Sequence, residues 1–229
     1  MVETLKQQFK KAPVTTSILL LTIAAFIAEF LIGGGRTDNG SLLVALGAKW
    51  GPYIKTHDQY WRLLTPIFLH AGFMHILTNM LTLWFLGPIA ENAFGSRKFL
   101  GLYLFGGIVG NIMSYLFAPL TVSVGASSAL FGMFGGLILY GIQFKQDPQI
   151  RSQGTMMILF VILNLVSGFS STGIDMWGHI GGLIGGMIFT VMFGFYGRSG
   201  RYPLPVRLTM VVLTALIIIL TLNASGGLL

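Results

Sequence analysis

Seven apolar runs, at about 15–34, 67–89, 99–118, 127–144, 155–171, 178–197 and 206–224, are each long enough to cross a bilayer. About 20 apolar residues span the hydrocarbon as a helix, and a helix satisfies its own backbone where water cannot. The chain is therefore expected to be an all-α polytopic membrane protein with seven transmembrane helices. Charged residues make up only 9% of its 229 residues, against about a quarter in soluble domains. The 31 glycines suit helices that pack closely in lipid.

The formal charge of +7 reads as membrane topology and not as affinity for nucleic acid, because no basic stretch alternates with aromatics. Seven spans put the termini on opposite sides. With the N-terminus cytoplasmic, ten Lys and Arg fall inside, among them Lys6, Lys10, Lys11, Arg97 and Arg198. The outer four, Arg36, Lys49, Lys55 and Arg62, all lie in the first outer loop. That bias gives N-in and C-out. The basic start and the long run from Thr16 to Gly33 are read as a retained signal-anchor helix. The first outer loop, about 35–66, carries Trp50, Tyr53, Tyr60 and Trp61 and is expected to lie in the headgroup layer. With no cysteine, thiolate metal sites and a cysteine nucleophile are excluded.

Polar groups on three different spans meet at one depth. His70, His75 and Asn79 fall near the outer end of the second span, Gly125-Ala126-Ser127 opens the fourth, and His179 opens the sixth. Such groups are costly in lipid and mark a functional site. If both histidines are helical, His70 and His75 stand about 140° apart, while His75 and Asn79 share a face. No metal site is expected, since no His-Glu-x-x-His spacing exists. His75 and Asn79 read as donors for a developing oxyanion. Ser127 sits where helix amides are unpaired and partly positive; taken alone, though, the small residues around it read first as packing surface, with Ser127 or Ser128 as N-cap. Gly182 and Gly186 share the face of His179 and allow the close approach that a Ser–His hydrogen bond needs. Asp175 reads as a solvated loop residue, so the imidazole is expected to be oriented by packing. Glu91 reads as a tie for the loop after the second span, and Glu29 has no assigned role.

Taken in order and spacing, these residues resemble the rhomboid intramembrane serine proteases over about residues 50–190. Trp61-Arg62 is similar to the family's Trp-Arg pair. His70, His75 and Asn79 follow its His-x4-His-x3-Asn pattern, and Glu91 with Gly95-Ser96 resembles its closing segment. Gly125-Ala126-Ser127 resembles the Gly-x-Ser nucleophile motif, and Gly178-His179 with Gly182 and Gly186 the base-bearing helix. The resemblance implies a six-helix core with a seventh, C-terminal helix added. It implies Ser127 as nucleophile, His179 as base, and His75, Asn79 and the backbone at Ala126-Ser127 around the oxyanion. The fifth helix and the loop before the sixth would form a lateral opening for substrate. Two positions depart from the family: Ser128 stands where glycine is usual, with the prospect of crowding the oxyanion site, and Phe131 stands where some members carry tyrosine.

The expected organisation is a cytoplasmic segment (1–14), a catalytic core (15–197), and a loop with the seventh helix (198–229). The expected activity is cleavage of transmembrane protein substrates in or near their membrane segments, without cofactor, in a bacterial cell membrane. The oligomeric state is left open. Two other readings are an inactive relative that binds membrane proteins and a small transporter. The latter would need polar residues continuing across the bilayer, whereas the inner halves of the fourth and sixth spans are apolar and glycine-rich.

Overall fold

The computed structural model describes residues 7, 10–169, 173–197 and 201–225. Lys6 and Arg198, counted above as cytoplasmic charges, and the last two residues of the expected fifth span lie outside the described residues. Among the described residues the chain is all-helical: α1 (Pro13–Ile32), α2 (Gly40–Leu46), α3 (Gly51–His57), α4 (Phe73–Phe94), α5 (Ser96–Phe117), α6 (Ser127–Gln143), α7 (Pro148–Phe169), α8 (Met176–Phe193) and α9 (Leu204–Ser225). Six of these, α1, α4, α5, α7, α8 and α9, are long and apolar enough to cross a membrane. The remaining expected span, the fourth, is α6, which is apolar but only 17 residues long.

α6 is the central post. Leu130, Met133, Phe134 and Leu137 are all buried, and α4, α5, α7 and α8 pack around it. The contacts of α5 and α8 with α6 run through glycine. A β-carbon on Gly106 would lie 2.7 Å from the Gly132 Cα, and one on Gly186 would lie 1.9 Å from the Gly132 carbonyl oxygen. In lipid the hydrophobic effect does not drive helices together, so dispersion at close backbone approach carries the association. The composition thus dictates which helices form the tight core: the three with facing glycines.

The second span starts later than its apolar run suggests. Pro66 lies in a short 3-10 turn, Thr65–Phe68, and Gly72 takes φ +95° as the residue that admits α4. Both break the helix that would otherwise reach back to residue 67. His70 is therefore off the helix, and the 140° phase argument does not apply to it. Its ring instead packs edge-on against His75, with centroids 5.1 Å apart.

Glu91, near the end of α4, does more than tie the following loop. It accepts from Ser96 Oγ at 2.6 Å, and also from Val14 N at 3.0 Å, Thr15 N at 2.8 Å and Thr15 Oγ1 at 2.8 Å. A carboxylate at a helix N-terminus satisfies unpaired amides and faces the favourable end of the helix dipole. The added helix α9 lies along α8, where Arg207 Nε donates to the Met192 carbonyl at 2.9 Å. Its Ile217 packs on a small cluster of Ile54, Leu63, Ile112 and Tyr115.

Candidate active site

Where α4, α6 and α8 begin, a cavity of about 490 Å³ opens, lined in part by His75, Asn79, Ser127, Phe131 and His179. Deeper in, Phe134, Phe160, Thr82 and Asn164 continue its wall. Polar and aromatic side chains both line the cavity.

Ser127 is the first residue of α6, preceded by Ala126 as a helical N-cap without a side-chain bond; neither serine is the cap. As the first helical residue, its N–H has no carbonyl partner within the helix. Gly125 holds φ +122°, and a β-carbon there would lie 2.7 Å from the His75 ring. Glycine is required at 125 both to turn the chain and to let His75 stand beside the serine. Ser127 Oγ and His179 Nε2 lie 2.9 Å apart. The closeness follows from α8 pressing on α6, where a β-carbon at Gly182 would sit 2.1 Å from the Ser128 carbonyl oxygen.

The His179 ring is fixed from one face. Phe131 stacks on it with centroids 4.3 Å apart and planes 9° from parallel. Its Nδ1 has no hydrogen-bond partner among the described residues, so no carboxylate holds it. Asp175 is not the solvated residue expected. It is the N-cap of α8, accepting from Gly178 N at 3.0 Å, and it accepts a short bond from Ser114 Oγ. An Asp just before an apolar helix is a cap signal, and it could have been read from the sequence.

His75 and Asn79 share the cavity face of α4 as their spacing requires. Asn79 Nδ2 donates to the His75 carbonyl at 3.1 Å, which leaves its second amide hydrogen for the cavity. Ala126, expected beside the oxyanion, is turned the other way: it is fully buried, and its N–H donates to His70 Nε2 at 3.3 Å. His70 is buried, and burial, then neighbouring His75, push its imidazole down to about 3. Neutral His70 accepting at Nε2 carries its proton on Nδ1. Ser128 does not crowd the site either. Its side chain points at Gly110 of α5, where a β-carbon would sit 2.7 Å from the Ser128 Cβ, and its hydroxyl is buried without a partner among the described residues.

Trp61 and Arg62 lie outside the cavity wall. Arg62 donates to the Val44 and Ala48 carbonyls at 2.7 and 3.0 Å and stacks over Tyr53 and Trp61, so it staples the first loop. Lys49 was not anticipated. It is fully buried, and its Nζ donates to Ala118 O at 2.8 Å and Thr121 O at 2.7 Å, at the end of α5. Its backbone exchanges hydrogen bonds with Ser123, two residues before Gly125. In the sequence it is one loop lysine among several.

The Rhomboid domain family model matches residues 57–196. Rhomboid protease GluP of Bacillus subtilis (strain 168) is 44% identical over 177 residues, covering 77% of this chain and 34% of that one. Putative rhomboid protease YdcA of the same organism is 37% identical over 137 residues, 59% of this chain and 68% of that one. Rhomboid-like protease 3 of Toxoplasma gondii is 33% identical over 178 residues, 75% of this chain and 66% of that one. The chain thus spans about a third of the first relative and about two thirds of the other two. Every group gathered at the cavity mouth, from His70 to His179, falls inside the matched stretch, and the chain belongs to the rhomboid family.

Proposed function

We propose that this chain is a serine-type intramembrane endopeptidase that cuts peptide bonds in or near the membrane segments of other proteins. The observation that carries the reading is the 2.9 Å approach of Ser127 Oγ to His179 Nε2 at the edge of a cavity. Ser127 attacks the substrate carbonyl while His179 takes its proton. The oxyanion is met by the Ser127 N–H and by donors from His75 and Asn79. His179 then gives the proton to the departing amine as the C–N bond breaks, and water hydrolyses the acyl-enzyme by the same base. Phe131 supplies the orientation that a carboxylate supplies in a triad. Ala126 is left out of the oxyanion site because His70 engages its N–H.

The distribution of Lys and Arg supports a cytoplasmic N-terminus with the cavity mouth towards the outer face; the membrane proposed is a bacterial one. A peptide bond inside a helix is shielded, so substrates with helix-weakening residues near the cut are favoured. Labelling purified protein with a fluorophosphonate and mapping the adduct by mass spectrometry tests the assignment. The adduct is expected on Ser127, absent in Ser127→Ala and in His179→Ala. Cleavage of a model transmembrane substrate by Ser127→Ala at the wild-type rate would overturn it.

A further inference from the structure

Two carboxylates are buried on the spanning helices α1 and α4, and they are used very differently. Glu91 is fully engaged by its backbone and hydroxyl donors. Glu29 on α1 is 1% exposed, yet Oε2 has one partner and Oε1 has none among the described residues. That single partner is the backbone N–H of His70, at 3.1 Å. A buried carboxylate in a spanning helix is costly and calls for a role. Glu29 also lies outside the stretch, residues 57–196, that matches the family model.

The contacts beyond His70 indicate that role. His70 N is held by Glu29, and His70 Nε2 in turn holds the Ala126 N–H. The same connector accepts the Gly125 N–H at the Pro66 carbonyl, 2.9 Å away. The backbone that presents Ser127 is therefore fastened to the segment from Pro66 to His70. That segment is irregular: a 3-10 turn followed by Gly72 at φ +95°. No helical ladder fixes His70: its carbonyl accepts from Gly72 N at 3.0 Å, and on the other side its N–H is held by Glu29 alone. A two-link chain, α1 carboxylate to connector to nucleophile backbone, runs behind the cavity without entering it. Glu29 is absent from the cavity wall.

We infer that Glu29 is a positioning residue that acts through His70 to set the Gly125–Ser127 backbone, and hence the nucleophile and the Ser127 N–H beside it. The inference rests on the protease reading for its catalytic consequence but not for its structural one. An acceptor oxygen is what the His70 N–H requires, so glutamine serves in place of glutamate and leucine does not.

The test compares wild type, Glu29→Leu, Glu29→Gln and His70→Phe as full chains in detergent. Amide hydrogen exchange is read across 124–128, with fluorophosphonate labelling of Ser127 and thermal unfolding alongside. Glu29→Leu is expected to speed exchange at Ala126 and to slow labelling by about tenfold or more, on the scale of misplaced reacting groups, while Glu29→Gln restores both. Because Glu29 acts through His70, the double variant Glu29→Leu/His70→Phe should lose no more than His70→Phe alone. Wild-type exchange and labelling in Glu29→Leu, or additive losses in the double variant, would overturn the inference. If leucine prevents folding, Glu29→Asp, which draws the acceptor back by one methylene, gives the same readouts. Wild type that fails to label would count against the protease reading; exchange at Ala126 would still decide for or against Glu29.

Discussion

Gly182 of α8 meets the backbone of Ser128 so closely that a β-carbon would sit 2.1 Å from the Ser128 carbonyl oxygen. The distance between Ser127 and His179 is thus set by backbone contact one residue beyond the serine and three beyond the histidine. Gly182→Ala must push α8 from α6 by roughly an ångström or more, and displacement on that scale costs about 100-fold in rate. The fluorophosphonate labelling rate of Ser127, measured beside thermal unfolding, is expected to fall by that order in Gly182→Ala and similarly in Gly186→Ala.

Ser128 invites the opposite prediction. Its hydroxyl is buried without a partner among the described residues, and its Cβ faces Gly110. An unsatisfied buried polar group costs about 1–3 kcal/mol. Ser128→Ala should therefore unfold at the same temperature as wild type or higher, with turnover unchanged. A loss of turnover with the fold intact would place Ser128 at the oxyanion after all.

Under the proposed mechanism, the stack of Phe131 on His179 takes the place of a carboxylate partner. Aromatic pairs of this kind contribute about 0.5–1.5 kcal/mol beyond their buried area. Phe131→Ala is expected to lower kcat several-fold while leaving KM for a transmembrane substrate nearly unchanged. Phe131→Tyr, which keeps the ring, should retain kcat.

Lys49 gives a pH signature. Burial lowers its pKa from 10.5 to about 8, with Asp175 opposing the shift. For a base depressed in the folded state, the unfolded chain binds more protons between those two values, so stability rises with pH across that window. Below about pH 8 both states carry the charge and the folded state bears the full desolvation cost. Thermal unfolding from pH 7.5 to 10.5 should show a rising Tm in wild type, and the difference from Lys49→Met should isolate that slope.

The spans, their order, and the residues that meet at the cavity were legible because lipid makes polarity expensive and glycine spacing visible. His75 with Asn79, and Gly182 with Gly186, needed only helical geometry. What escaped depended on contacts between distant segments. Lys49 is an ordinary loop lysine until the end of α5 presents its carbonyls to it. Glu29 is an anomaly until His70 is seen off the helix. His70 was misplaced because an apolar run continues through Thr65–Phe68, and apolarity does not separate a 3-10 turn from an α-helix. Asp175 is different: its position immediately before Met176 is that of an N-cap, a signal the sequence itself carries.

One consequence of α6 concerns the membrane more than the chemistry. Its 17 residues rise about 25 Å at 1.5 Å per residue, short of the roughly 30 Å of bilayer hydrocarbon. Neighbouring helices and not lipid enclose α6, so its shortness asks for no thinning of the bilayer around it; it sets Ser127 in a recess below the membrane surface. Bilayer thickness then becomes an input to the proposed activity: reconstitution in lipids of increasing acyl length should set Ser127 deeper below the surface and slow its labelling, with no residue of the protein changed.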